Sequence, residues 1–227
     1  MIRTLSSILL QLAVVACAAA GVILTTRLGG EFMAGTTAFL FFTIQSNLWI
    51  AAVCLLFAVL QAVSLCRREF ALPRACATLK YVFTVSITLT GAVFCAVLAP
   101  TMPGSFSSAA NVLTHVAVPA LAIADLFLCR APAPRYKDFW WALLPPLYYV
   151  GFAAVGYVCG WNFGMGNNYP YFFLNWGSPV GAFGFGGEGE YFMGCFWWIL
   201  LLLLFISALA LGYIALLRRM QKSGLQG

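Results

Sequence analysis

Six long apolar runs, separated by short polar links, constrain this chain more than any other feature. Each run is long enough to cross the hydrocarbon core of a bilayer, which takes about 20 apolar residues in a helix. With 63% hydrophobic and 8% charged residues, the 227-residue chain lies far from the composition of a soluble domain. In lipid every backbone amide needs an internal partner, so runs of this length predict helices. The expectation is an all-α polytopic membrane protein, one domain over residues 1–227. The expected spans are Leu5–Thr26, Thr36–Leu65, Cys76–Ala99, Ala109–Cys129, Phe139–Cys159 and Phe192–Leu217. The first resembles a signal peptide at Arg3, and Val14-Val15-Ala16-Cys17 loosely resembles a lipoprotein cleavage box. The apolar run continues past it, so a retained span is the better reading. Ala13, Cys17 and Gly21 would let a neighbouring helix approach closely.

Charge gives the orientation. Of the 12 basic residues, Arg3, Arg67, Arg68, Arg74, Lys80, Arg130, Arg135, Lys137, Arg218, Arg219 and Lys222 belong to one face, and only Arg27 to the other. The positive-inside rule puts that face, with both termini, in the cytoplasm. Topology therefore accounts for the net charge of +6, and no nucleic-acid role is inferred. The expected location is a plasma membrane of bacterial type. The eight cysteines form no C-x-x-C pair, and one histidine joins them, so no zinc or iron–sulfur site is expected, and no organic cofactor is implied. Cys159 and Cys195, near the outer ends of their spans, could be bridged or could be small core residues.

One link is long. Residues 160–191 read GWNFGMGNNYPYFFLNWGSPVGAFGFGGEGEY, rich in glycine and aromatics and without a basic residue. Loops of that length are commonly functional. Two readings stay open, an outer cap over the bundle and an aromatic belt at the interface.

The only histidine, His115, sits inside the fourth span. An intramembrane ionisable group is a functional hypothesis by default. Thr43, in the second span, should lie at a similar depth, each about 8–9 Å below the outer boundary. Thr36, Thr43, Ser46 and Asn47 share one helix face; Ser108, Asn111 and His115 share another. Such stripes commonly hold membrane helices together by hydrogen bonds. They also suit a nucleophilic threonine activated by an imidazole, with Ser46, Asn47 and Asn111 as candidate oxyanion donors. Pro119 removes a donor to the His115 carbonyl and should bend the helix there; Pro145 and Pro146 act likewise on Trp141 and Ala142. Asp125, ten residues beyond His115, is too distant to orient the ring. Close to Arg130 at the inner end, it suits a helix-end ion pair or an interhelical bond.

FFTIQSNLW, LTHVAVPALAIAD, WWALLPPLYY and YPYFFLNW occur in this order along the chain. With T-x-x-S-N and H-x-x-x-P-x-x-x-x-x-D, they resemble the androgen-induced and androgen-dependent six-span integral membrane proteins and their bacterial relatives. The resemblance covers most of the chain. It implies an intramembrane hydrolase of fatty acid esters of hydroxy fatty acids, with Thr43 as nucleophile and His115 as general base. Membrane lipids or a fatty acyl ester would be the partner. The bacterial cap motif Y-P-Y-P-F-L-D reads differently here, with Phe172 and Asn175 at the second proline and the aspartate. Asn175 joins the candidate substrate or oxyanion donors. The alternatives are a transporter or lipid-binding protein whose Thr/Asn/His stripe lines a solute site, and a structural or partner-binding subunit.

Overall fold

The computed structural model describes residues 2–28, 35–67 and 72–223. Arg68 of the basic face lies outside them. Among the described residues there is no β-strand, and six helices are long and apolar enough to cross a membrane. The chain is an all-α multi-pass membrane protein. The helices are α1 (Ile2–Leu28), α2 (Phe42–Cys66), α3 (Arg74–Val93), α4 (Ala109–Leu128), α5 (Phe139–Val158) and α6 (Cys195–Lys222).

The second and sixth spans differ most from the sequence expectation. The second span begins at Phe42 rather than Thr36, because residues 35–40 wind as a 3₁₀ turn. The sixth begins at Cys195 and runs to Lys222, about one turn further than expected. Its first turn carries no charge, and Arg219 and Lys222 sit in its last turn, where the helix dipole favours cations.

Helices α1 to α4 form the main bundle. α1 packs on α2 and α4, and α3 packs on α2 and α4 from the other side. α5 lies against α3, and α6 lies against α5 and, less extensively, α3. Close approach at α1 uses Gly21, where a Cβ would meet the Thr114 methyl at 2.6 Å. Ala13 and Cys17 of that stripe are only half-buried, whereas Val14 and Ala18 are buried. The Arg3 guanidinium donates to the carbonyls of Leu128 (2.8 Å) and Phe127 (3.2 Å), covering the open end of α4. The start of α1 and the end of α4 therefore share the basic end of the bundle.

Deep in the bundle, Asp125 makes the interhelical bond that the sequence allowed, rather than an ion pair at the helix end. Its carboxylate pairs with Lys80 of α3, not with Arg130, and both side chains are buried. Ser7 Oγ (2.6 Å) and Gln11 Nε2 (3.2 Å) donate to its other oxygen. The Lys80 ammonium also lies 4.5 Å from the centre of the Phe57 ring. Lys80 is thus an interior residue joining α3 to α4 and α1, not a flank of the link before α3.

Proline acts through the backbone of α4. Instead of a plain kink, residues 113–117 form a π turn that widens the helix next to Pro119. A second π turn, residues 94–98, closes α3 ahead of Pro100. Pro145 and Pro146 are accommodated within a continuous α5.

The long link folds into the end opposite the basic residues. Phe163, Phe173 and Leu174 are buried. Phe41 meets Phe163 and Tyr171 edge-on at 6.3 and 5.7 Å, and Tyr171 stacks on Phe173 at 5.0 Å. This half is a cap packed on the helices. The other half is a hairpin-like turn, with Phe185 bridged to Met193, and it leaves Phe183 and Phe185 exposed as a belt would. Cys159 and Cys195 are unbridged; the first is exposed and the second buried.

Gly91 marks the tightest crossing of α3 and α4. A Cβ there would lie 2.8 Å from the His115 carbonyl oxygen and 3.0 Å from the Pro119 ring. Gly91→Ala should therefore cost about 1–3 kcal/mol by overpacking and shift the π turn that carries His115. Gly212→Ala, where a Cβ meets nothing within 4 Å, should be neutral or slightly stabilising. Thermal unfolding of both variants in detergent checks the contrast.

Candidate active site

Thr43 is the second residue of α2, and its neighbours fix it from several sides. Its carbonyl accepts from Asn47 Nδ2 (2.8 Å) and Ser46 Oγ (3.1 Å). Asn47 Nδ2 also donates to the Thr114 carbonyl of α4 at 3.1 Å, and Ser46 Oγ pairs with Thr90 Oγ1 of α3 at 2.8 Å. Three helices are thereby tied together one turn below the threonine. Ser46 and Asn47 are wholly buried, and their donors go to backbone or to Thr90. They hold Thr43 in place and do not face the open space beside its hydroxyl, which corrects their expected place as oxyanion donors.

The Thr43 hydroxyl lies 3.1 Å from His115 Nε2. On the other side of the ring, Nδ1 is 3.1 Å from the Asn111 carbonyl and 3.0 Å from Thr114 Oγ1. A carbonyl only accepts, and the Thr114 hydroxyl spends its proton on the Ala110 carbonyl at 2.8 Å. Nδ1 is therefore the protonated nitrogen of the neutral ring, and Nε2 presents its lone pair to Thr43. Phe94, opening the π turn of α3, stacks on the imidazole at 3.9 Å and 17°. The ring is clamped between a backbone acceptor and an aromatic face, and among the described residues no carboxylate bonds to it.

Tyr171 was not singled out from the sequence. The cap carries its hydroxyl to 3.4 Å from Thr43 Oγ1 and 3.5 Å from the Thr43 amide. Burial pushes its phenol upward in pKa, so the group stays protonated and able to donate. Its only advance signal is the Y-P-Y stretch, in which Pro170 restrains the backbone beside it.

Asn111 supplies the carbonyl that orients the ring, while its side-chain amide donates to the Ser105 carbonyl at 3.0 Å. Asn175 lies apart from the hydroxyl. Its side-chain oxygen accepts from the Gly177 amide at 3.0 Å and shapes a turn in the cap.

Two cavities meet at Thr43 and Tyr171. One is a narrow apolar cleft of about 70 Å³ between α3, α5 and α6, with Leu89, Val93, Pro146, Val150, Ile199 and Leu203 among its walls. The other is wider, about 560 Å³, and extends toward the cap past His115, Asn111, Asn167, Tyr169 and Glu190. That size is ordinary for a small-molecule site.

Similarity does not name this arrangement. No family model matches the chain. No curated protein and no solved structure matches it either.

Proposed function

We propose that the chain is an intramembrane hydrolase of lipid esters, with Thr43 as nucleophile and His115 as general base and acid. The observation that carries this reading is the hydroxyl–imidazole contact at the junction of an apolar cleft and a wider cavity. The resemblance to the androgen-induced six-span proteins points the same way. The Thr43 oxygen attacks the ester carbonyl carbon while its proton passes to Nε2. The carbon–oxygen bond to the alcohol breaks, and the alcohol leaves with the proton from Nε2. Water then cleaves the acyl-threonine by the reverse proton path, releasing a carboxylic acid. Tyr171 is the donor best placed for the oxyanion. Val93, Pro146, Val150, Ile199 and Leu203 of the cleft are only half-buried, so an acyl chain enters sideways from lipid on that side.

A transport path would have to pass the buried Ser46, Asn47 and Thr90 layer and then the Lys80–Asp125 pair. Both are packed without exposure above about 5%. This disfavours the transporter alternative.

A fluorophosphonate probe tests the reading. Wild-type protein should be labelled at Thr43, and Thr43→Ala should not be. An absence of labelling on wild type, with no acyl ester turned over, defeats the hydrolase. Tyr171→Phe keeps the ring packing and removes the donor. It should lower kcat on the order of a hundredfold with a small change in KM, measured on a long-chain acyl ester in nanodiscs.

The basic end, with both termini, is assigned to the cytoplasm of a bacterial-type plasma membrane, and the cap to the outside. A cysteine introduced at Ser223 on a cysteine-free background should resist impermeant thiol reagents in intact cells. Labelling from outside would reverse the assignment.

A further inference from the structure

The two cavities at Thr43 differ in chemistry, and this difference specifies the substrate. The inference rests on the hydrolase reading above. The cleft offers an acyl chain apolar walls only, save where it reaches Thr43, Thr90 and the Tyr phenols. The wider cavity also has apolar walls, including Leu24, Phe94 and Met102, but it adds Asn111, Asn167 and Glu190. Among the described residues no donor or cation pairs with the Glu190 carboxylate or the Asn167 side-chain amide, and no lysine or arginine lines the cavity. The Tyr169 and Tyr191 hydroxyls meet there at 3.2 Å. Burial, with help from the Tyr169 hydrogen bond, pushes the Tyr191 phenol up to about 12, so Tyr191 adds no charge. The described walls therefore carry one carboxylate and several open hydrogen-bonding positions.

We propose that the acyl chain takes the narrow cleft and the leaving alcohol takes the wider cavity. The alcohol is a compact, hydrogen-bonding head group that is neutral or positively charged. A second acyl chain there would bury Asn167 and Glu190 without partners, which is costly. A leaving group ending in a carboxylate would face Glu190 with no lysine or arginine among the described walls to offset it. The substrate class is then a single-chain acyl ester of a polar alcohol, rather than an ester of a hydroxy fatty acid.

The experiment uses the full chain in nanodiscs and three esters with one dodecanoyl chain. Their alcohols are glycerol, choline and hydroxypropanoate, that is neutral, cationic and anionic. The glycerol and choline esters should exceed the hydroxypropanoate ester in kcat/KM by about tenfold or more, the scale of one charge contact near a surface. Glu190→Gln should bring the choline-to-hydroxypropanoate ratio down by about tenfold, and Glu190→Lys should invert it. The proposal is overturned if the anionic ester is turned over as fast as the others. It is also overturned if neither Glu190 variant moves the ratio. Turnover of none of the three, with Thr43 unlabelled by the fluorophosphonate, defeats the hydrolase reading and this inference with it. Turnover without charge preference defeats the inference alone.

Discussion

Thr43→Ala and His115→Ala should each lower ester turnover by about a thousandfold or more while leaving the helices folded. General-base assistance alone is worth about 10²–10⁴ in rate, and the nucleophile contributes beyond it. The two groups share one hydrogen bond and one proton, so their losses should not multiply. The double variant should be little slower than either single one. If the contact only joined α2 to α4, the outcome would differ. An interhelical polar bond in a membrane protein is worth about 0.6 kcal/mol, so each variant would unfold slightly earlier and turn over substrate almost normally. Thr43→Ser keeps the hydroxyl and should retain part of the activity. Turnover of a long-chain acyl ester in nanodiscs, read beside thermal unfolding, separates the cases. Undiminished turnover in Thr43→Ala would remove the threonine from the chemistry.

The second large effect should appear at the other end of the bundle. Asp125→Ala leaves the Lys80 ammonium buried without its carboxylate, and breaking a buried pair from one side costs about 3–5 kcal/mol. An ion pair at an exposed helix end would cost at most about 1 kcal/mol, so the magnitude reports burial directly. Replacing both partners, Lys80→Met with Asp125→Leu, should cost clearly less than Asp125→Ala. It removes the stranded charge and leaves only Ser7 Oγ and Gln11 Nε2 to find new acceptors. Unfolding midpoints of the three proteins in one detergent give the comparison. A double variant less stable than Asp125→Ala would show that the network does more than neutralise Lys80.

Much of this protein was legible in its sequence, for a clear physical reason. A bilayer leaves few options for a long apolar run, so six runs dictated six helices, and the ends of most were placed within a few residues. The clustering of basic residues paired the start of α1 with the end of α4, as the Arg3 bonds to Leu128 and Phe127 display. His115 and Thr43 stood out because polar groups are rare and expensive at that depth. Which polar group meets which was not legible, because that depends on helix rotation and on neighbours distant in sequence. Ser46 and Asn47 share the Thr43 face, yet they turn to backbone carbonyls and Thr90. Lys80 read as a loop flank until α3 was seen to turn it inward onto Asp125. Tyr171 lies 128 residues from Thr43, in an aromatic loop whose composition allowed either a cap or a belt. Only the packing of Phe163, Tyr171 and Phe173 against Phe41 and α5 brought its hydroxyl to the threonine. Local physics set the helices and marked costly residues; contacts across helices, which cost little sequence to rearrange, were decided by the tertiary fold.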